Sequence, residues 1–430
     1  MHFFLINLGC AKNLVESENL TNQLISAGYS PVDEIKKADL IIINTCGFID
    51  DAKKESIETI LETINQKKKK AHVVVFGCLI QRYLKELEKE IPEVDCFIPV
   101  KPVKDIAEEI KKRFPPVKKR VTKHIKLLFT PPVYKYVKIS DGCKNFCSYC
   151  VIPFIRGDLK SRTIEEVVNE VETALNDGVI EINLIGQDLT IYGTDLYKTS
   201  KLVELIKSLL KIDKYFWLRL LYLYPARIPN EILEIMKKDV RLLPYLDMPI
   251  QHVNDRILKL MNRDYTKKDL LKTIKTLRNT IPHIVLRSTL ITGFPTETEE
   301  EFQEMLEFIK DVQLDHLGVF TYSPEEGTQA YKLKPQIQKS VKNRRKKMLM
   351  EEQFKIVKEK LKKYKGNILE CIVEDKIDEL GALWSGRFYG QAPEVDGVVY
   401  FTGYNKDMGS IVKVKITNVK GYDLFGEVAF

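Results

Sequence analysis

The chain has 430 residues, of which 44% are hydrophobic and 30% are charged, and its formal net charge is +8. This balance is typical of a folded protein with two to four domains and excludes disordered, collagen-like and coiled-coil proteins. No apolar run approaches the roughly 18 residues of a membrane-spanning helix, and the opening residues MHFFLINLG lack the basic start of a secretion signal, so we expect a cytoplasmic protein with no membrane partner.

The first hundred residues alternate short apolar runs with amphipathic helical patterns, which predicts a parallel α/β sheet. The predicted helices cover about residues 13–27, 50–66 and 80–89, and the predicted strands are HFFLINLG, DLIIINT and HVVVFG. A basic helix and two proline pairs follow between residues 101 and 134, and the prolines interrupt regular structure. We therefore place the first domain at residues 1–115.

A second alternation occupies residues 130–335 and predicts a (β/α)6 partial TIM barrel. Thr163 and Glu166 form a capping box that marks one helix start, and Gly178 marks its end. Functional residues of such barrels lie at the C-terminal ends of the strands. The six predicted strands are YKYVKIS, VIEINLIG, YFWLRLL, YLDMPI, HIVLRSTLIT and HLGVFTYS.

The rest of the chain differs in pattern and charge. Residues 337–365 carry 12 basic and 3 acidic side chains, and we predict a basic amphipathic linker helix over residues 336–365. Residues 366–430 hold 6 basic and 10 acidic side chains and read as about five short strands. That pattern predicts a small β-barrel of the OB or a related kind. The whole chain is therefore a multidomain α/β protein.

The eight cysteines indicate metal or redox chemistry, because thiols stay reduced in the cytoplasm. Cys143, Cys147 and Cys150 follow the first barrel strand with the spacing C-x₃-C-x₂-C. A zinc site would normally have a fourth ligand nearby. Three thiolates on one loop instead suit a cubane iron-sulfur cluster with one open iron. Three buried free thiols, the structural alternative, have little packing rationale at this spacing.

Three further cysteines each follow a predicted strand of the first domain: Cys10, Cys46 and Cys78. Parallel strands end at a common edge of the sheet, where ligands bind, so we expect these side chains to converge and form a second site with an open position. The alternative is that they are small buried hydrophobic residues. We interpret Cys96 and Cys371, which lack either pattern, as structural.

The loop ISDGCKNFCSYC, with Tyr149 before its last cysteine, resembles the radical S-adenosylmethionine (SAM) superfamily. This resemblance implies that the open iron binds the methionine part of SAM and that an electron from the cluster cleaves the sulfonium to give a 5′-deoxyadenosyl radical. Abstraction of hydrogen from an unactivated C–H bond is beyond side-chain acids and bases, so the cofactor supplies that chemistry.

Over nearly its whole length the chain is similar to the methylthiotransferase family. That similarity implies an N-terminal cluster domain, a radical SAM barrel, a C-terminal TRAM domain and two [4Fe–4S] clusters. It also implies SAM neighbours at Tyr149, Gln187, Asp188 and Gly293. We add Arg219 and Gln251 as candidate SAM contacts, with ordinary barrel packing as the alternative for both. The matching runs include GCAKNLVESE, NTCGFIDDAKKES, GCLIQRY, DGCKNFCSYCVIPFIRG, LIGQD, LITGFPTETEEEF, FTYSPEEGTQA and GRFYGQAPEVDG.

One branch of the family modifies an adenosine in tRNA, and the other modifies the β-carbon of an aspartate in protein twelve of the small ribosomal subunit. GCAKNLVESE, YLDMPIQH with His252, and QAPEVDG resemble the ribosomal-protein branch. The acidic last domain, at −4, also suits a basic protein better than RNA. The basic helix could contact ribosomal RNA, but we interpret it as a solvated face.

The resulting hypothesis uses SAM twice. One molecule methylates a sulfur held at the Cys10, Cys46 and Cys78 cluster, and the second, at the other cluster, generates the radical that removes a β-hydrogen from the aspartate. An electron donor of the flavodoxin or ferredoxin type and a sulfur donor are the implied partners, and the ribosomal protein is either free or on the ribosome. The alternatives are a tRNA methylthiotransferase and a non-enzymatic RNA-binding protein with structural metal sites.

Overall fold

The computed structural model describes residues 1–116, 129–378, 381–403 and 408–429. The chain divides into two compact units, and each is described separately below. The first unit comprises Met1–Phe129, Gly142–Lys144 and Val151–Leu159, and the second comprises Thr130–Asp141, Asn145–Cys150 and Lys160–Phe430. Within the described ranges, no helix combines the length and apolar character needed to cross a membrane.

A five-stranded, all-parallel sheet forms the centre of the first unit, as the alternating pattern predicts. Its central strands are buried, apart from His72, because helices cover both faces. The two edge strands, of two and three residues, are too short to leave a sequence pattern. In spatial order the strands are Ser30–Pro31, His2–Asn7, Leu40–Thr45, His72–Gly77 and Cys96–Ile98.

The helices of the first unit begin close to the predicted positions. The basic helix expected after residue 101 is Val103–Arg113, and residues 117–128 of that segment lie outside the described residues. A short helix that the hydrophobic pattern did not predict lies just after the C-x₃-C-x₂-C loop. In the described part of this unit the α-helices are Ala11–Ser26, Asp50–Gln66, Cys78–Glu90, Val103–Arg113 and Ile152–Arg156.

Six parallel strands, adjacent in chain order, form the open barrel of the second unit and confirm the (β/α)6 prediction. They are Tyr134–Lys138, Glu181–Ile185, Trp217–Leu220, Leu242–Asp247, Val285–Thr292 and His316–Thr321. A two-stranded ribbon, Ser140–Asp141 with Lys160–Ser161, flanks the first strand.

Several α-helices of this barrel begin with side-chain caps, whereas Leu202–Leu209 and Asn230–Lys238 do not. The predicted capping box is present: the Thr163 side chain accepts from the Glu166 N–H, and the Glu166 carboxylate accepts from the Thr163 N–H. Thr266 and Thr298 start two other helices in the same way. The helices are Ile164–Asn176, Leu202–Leu209, Asn230–Lys238, Asp255–Leu260, Lys267–Thr280 and Glu299–Val312.

The basic segment forms the helix Lys339–Lys362, and its interpretation as a solvated face is wrong for part of its surface. Lys342 is buried and donates to the Tyr322 carbonyl at 2.9 Å. Arg345 is also buried and is paired with the buried carboxylate of Glu297. These cations are tolerated inside because each meets a carbonyl or a carboxylate.

The last 60 or so residues form a closed five-stranded barrel, as predicted. Its core includes Trp384, Phe401 and Leu424. Cys371 is buried in the same core, which is where a structural cysteine would lie. The strands are Ile368–Lys376, Trp384–Phe388, Val399–Thr402, Ile411–Lys420 and Asp423–Val428.

Buried ionic contacts join this small barrel to the six-stranded barrel of the same unit. Glu181 is fully buried, accepts from Arg219 Nε at 2.8 Å, and accepts from Arg387 Nη2 at 2.5 Å. The QAPEVDG segment contributes Asp396, which accepts from the Tyr245 hydroxyl at 2.7 Å. Tyr134 and Glu181 begin adjacent strands of the six-stranded barrel, and the Tyr134 hydroxyl donates to Glu394 of QAPEVDG at 2.9 Å. The QAPEVDG segment therefore lies at the N-terminal end of that barrel.

Candidate cluster sites

The three cysteines of the first unit lie at the C-terminal edge of its parallel sheet. Cys46 directly follows the strand Leu40–Thr45, and Cys78 directly follows the strand His72–Gly77. Cys10 is three residues beyond the strand His2–Asn7 and is the N-cap of the first helix. The sheet therefore places the three cysteines at one edge.

Two glycines show that the three loops touch. A Cβ on Gly9, whose φ is +94°, would lie 2.8 Å from the Cys46 Cβ and 3.1 Å from its Sγ. A Cβ on Gly47 would lie 2.7 Å from the Leu79 Cα, next to Cys78. The loops of Cys10, Cys46 and Cys78 thus approach so closely that side chains at these two glycines would separate them.

The three thiols differ in burial, and burial shifts the pKa of Cys46 and Cys78. Cys10 is exposed, Cys46 is half-buried and Cys78 is buried. Burial raises the pKa of Cys46 to about 11, with small further contributions from Cys78 and Cys10. Burial also raises the pKa of the Cys78 thiol, and Arg156 beside it opposes that rise. A metal that binds a neutral thiol strongly favours its deprotonation to the thiolate.

The donor set fits an iron-sulfur cluster. Among the described residues, no group of three or more His, Cys, Asp or Glu side chains is arranged to hold a metal ion. A zinc site needs four ligand atoms about 2.0–2.3 Å from one ion, whereas the thiolates of a cubane cluster bind separate iron atoms. Three soft ligands with one exposed member match a cluster that keeps an open iron.

The second cysteine set is divided between the two units, so its members are described where they lie. In the first unit the Cys143 N–H donates to the Gly157 carbonyl at 3.3 Å. In the second unit the Cys150 N–H donates to the Cys147 carbonyl at 3.0 Å. Arg263 Nη1 lies 3.7 Å from Cys147 Sγ. All three cysteines are half-buried, which suits ligands that a small molecule must reach.

Two predicted SAM neighbours stand at the end of the strand Glu181–Ile185. Asp188 is buried, and Asn145 Nδ2 donates to it at 2.8 Å, so it fixes the loop that precedes Cys147. Gln187 donates to Asp141 at 3.1 Å. The buried Oε1 of Gln187 has no hydrogen-bond partner among the described residues, and such an atom calls for an additional donor.

Tyr149 and Gly293 also lie in the second unit. Tyr149 packs against a hydrophobic cluster that includes Phe294 and Tyr322. Gly293 has a φ of +71°, and a Cβ there would lie 2.3 Å from the Lys342 Cγ. Both the backbone conformation and the space therefore require glycine at this turn.

Arg219 and Gln251, the two added candidates, differ from this group. Arg219 is fully buried; its Nε donates to Glu181, and its Nη1 donates to the Tyr389 carbonyl at 2.8 Å. Gln251 has a φ of +67° and exchanges backbone hydrogen bonds with Thr289 and Ile291. Arg219 therefore lies on a barrel strand as expected, whereas Gln251 lies beyond the end of the strand Leu242–Asp247 and joins the sheet through an isolated bridge to Leu290.

Three residues around the cysteines escaped the sequence analysis. Asn13 and Arg156 lie beside the first cysteine set, and Arg263 lies beside Cys147. The local sequence signal for Arg156 is weak: it is a basic residue six positions after Cys150, the last cysteine of the C-x₃-C-x₂-C motif. Asn13 and Arg263 carry no local signal, because their roles depend on contacts between distant parts of the chain.

Three family models match the chain in order. Residues 2–99 match the Uncharacterized protein family UPF0004, residues 137–309 match the Radical SAM superfamily, and residues 366–429 match the TRAM domain. The chain is 45% identical over 428 residues to the protein named ribosomal protein uS12 methylthiotransferase RimO from Aquifex aeolicus, covering 99% of this chain and 97% of the relative. It is 46% identical over 422 residues to the protein of that name from Thermodesulfovibrio yellowstonii, covering 98% of each.

The chain belongs to the RimO family of methylthiotransferases. The predicted family, the transferase class and the radical SAM cofactors, [4Fe–4S] clusters and SAM, are thereby confirmed. Solved structures support the fold alone. The radical SAM methyltransferase TsrM from Kitasatospora setae aligns with a TM-score of 0.55 at 14% identity, covering 76% of this chain and 73% of that one.

Proposed function

We propose that this protein transfers a methylthio group to the β-carbon of an aspartate in ribosomal protein uS12. In this proposal Cys10, Cys46 and Cys78 hold one [4Fe–4S] cluster, and Cys143, Cys147 and Cys150 hold the second together with SAM. When bound, these groups supply the sulfur and the one-electron chemistry that an unactivated C–H bond requires. The observation that carries the proposal is the convergence of three strand-end cysteines against Gly9 and Gly47.

The residues of the chain would act chiefly by orienting the cofactor. Asp188 holds Asn145 and thereby the segment that precedes Cys147. The unpaired Oε1 of Gln187 would accept a hydrogen bond from SAM. Of the proposed SAM neighbours, Gln187 has the most support, because its acceptor is still available.

Tyr149 and Gly293 remain proposed neighbours on the strength of the family resemblance and of their place in the turns of the second unit. Arg219 and Gln251 have less support. Two donor nitrogens of Arg219 bond to Glu181 and Tyr389, although its buried Nη2 has no hydrogen-bond partner among the described residues, and the Gln251 backbone is paired with the strand Val285–Thr292.

The substrate assignment has two supports. The two relatives, at 45% and 46% identity, are both named for uS12. In addition, residues 366–430 carry 6 basic and 10 acidic side chains, which favours a basic protein over a polyphosphate. A reductant of the flavodoxin or ferredoxin type and a sulfur donor complete the proposal, and a ribosomal-protein substrate favours a cytoplasmic location.

Two cysteine variants separate the proposed roles. With SAM, a reductant, sulfide and uS12, the Cys78→Ala enzyme should still form 5′-deoxyadenosine but attach no methylthio group, as measured by chromatography and mass spectrometry. Cys147→Ala should form no 5′-deoxyadenosine. Cys96→Ala is the control, because Cys96 is buried in the core of the sheet and belongs to neither set, and it should retain both reactions. Sulfur attachment by Cys78→Ala, or SAM cleavage by Cys147→Ala, would contradict the proposal.

A further inference from the structure

Arg156 is a buried cation beside the first cysteine set. It is the last residue of the short helix Ile152–Arg156 and lies six residues beyond Cys150 in the sequence. Only 3% of its side chain is exposed. A buried guanidinium requires hydrogen-bond acceptors and compensating charge, so its contacts indicate what it does.

One guanidinium nitrogen of Arg156 contacts a cysteine sulfur. Nη2 lies 3.4 Å from Cys78 Sγ and 3.1 Å from Glu16 Oε2. Nη1 also donates to Glu16, so the pair is bidentate. Such a fork fixes the plane of the guanidinium as well as its position. The N–H directed at Cys78 is therefore held in place by Glu16.

Asn13 connects this pair to the other two cysteine loops. Its Oδ1 accepts from Arg156 Nη2 at 3.2 Å and lies 3.9 Å from Cys10 Sγ. Its Nδ2 donates to the carbonyls of Leu8 at 2.9 Å and Thr45 at 3.3 Å. Leu8 precedes Cys10 by two residues and Thr45 directly precedes Cys46. The network thus reaches all three cysteine loops.

We propose that Arg156 is a positioning residue for the first cluster: its N–H holds the Cys78 sulfur and raises the reduction potential of that cluster. The inference rests on the assignment of a [4Fe–4S] cluster to Cys10, Cys46 and Cys78. Hydrogen bonds to ligand sulfurs and nearby positive charge stabilise the more negative, reduced form of a cluster. In a buried site this effect is stronger than in water.

The test uses the full-length chain with Cys143, Cys147 and Cys150 replaced by alanine, so that only the first cluster forms. This parent protein is reconstituted anaerobically, its iron and sulfide are counted, and its potential is measured by a dithionite titration followed by electron paramagnetic resonance. The same measurement is made with Arg156→Met, Arg156→Lys and Glu16→Gln added. Arg113→Met is the matched control, because it removes a cation of the same domain that is paired with Glu109 at the surface.

We expect changes at Arg156 and at Glu16 to shift the reduction potential of the first cluster in opposite directions. Arg156→Met should lower the potential, Arg156→Lys should give an intermediate value because it keeps the charge without the fork, and Glu16→Gln should raise it. Arg113→Met should leave it unchanged. An unchanged potential in Arg156→Met with four irons bound would overturn the role of Arg156 alone. A parent protein that binds no iron would overturn the cluster assignment itself. If Arg156→Met loads no iron, an unchanged potential in both Arg156→Lys and Glu16→Gln would overturn the inference.

Discussion

Glu181 joins the six-stranded barrel to the C-terminal barrel, and its replacement by glutamine should weaken that connection strongly. Its carboxylate is fully buried and serves both Arg219 and Arg387. Arg387 would keep Glu374 as a partner, whereas Arg219 would keep the Tyr389 carbonyl and the face of the Tyr245 ring but would lose its carboxylate. Removing one partner of a buried ion pair leaves an uncompensated charge and costs about 3–5 kcal/mol.

The chain contains two tryptophans, and each reports on one of these barrels. Trp217 lies in the strand Trp217–Leu220 and Trp384 lies in the strand Trp384–Phe388. Urea unfolding of the single-tryptophan variants Trp217→Phe and Trp384→Phe therefore follows each barrel separately. With a slope of about 3 kcal/mol per M urea, the expected loss moves the unfolding midpoint down by about 1–1.7 M.

Glu170→Gln is the matched control for this change. Glu170 pairs with Lys135 and Arg162 within the six-stranded barrel, and about a fifth of its side chain is exposed, so the control should cost about 1 kcal/mol or less. Glu181→Gln should shift the midpoint reported by Trp384 more than Glu170→Gln does. Equal shifts in the two variants would refute the reasoning.

Three further outcomes are expected. Burial raises the pKa of Glu181, but its two arginines outweigh burial and hold the pKa below its usual value. The stabilisation of the fold by this carboxylate is therefore complete above about pH 4.3 and is lost as the pH falls through the folded-state pKa. Glu181→Gln should flatten the acid unfolding curve in that window. Gly9→Ala should reduce iron bound by the first cysteine set, because its Cβ would meet Cys46, whereas Gly178→Ala, with φ +97° and open space, should leave iron content unchanged. Asp188→Ala removes a charged acceptor worth about 1.5–3 kcal/mol and should weaken SAM binding about 10- to 100-fold in equilibrium binding measurements.

Most of the fold follows from short-range patterns. Strands such as Leu40–Thr45 are buried on both faces and read as continuous apolar runs, and helices such as Ile164–Asn176 carry their own capping residues. The strand Ser30–Pro31 was missed because two residues are too few to show a repeating hydrophobic pattern. The burial of Lys342 and Arg345 could not be read from a charge run, since it depends on Tyr322 and Glu297 elsewhere in the chain.

The placement of three cysteines at one sheet edge was predictable for a topological reason, and their role as cluster ligands stays a prediction. Parallel strands end at one edge, so Cys10, Cys46 and Cys78 converge although they are far apart in sequence. Their partners were not predictable in the same way. Arg156 reaches Cys78 across 78 sequence positions, and only the folded structure brings the two together.

The most direct test of the proposed function supplies anaerobically reconstituted enzyme with SAM, a reductant and sulfide. Purified uS12 and unmodified tRNA are then offered separately, and each is examined by mass spectrometry for a methylthio group. Our account predicts the group on an aspartate of uS12 and none on tRNA. A methylthio group on tRNA alone would contradict the substrate assignment while leaving the chemistry intact, and its absence from both would contradict the proposed function.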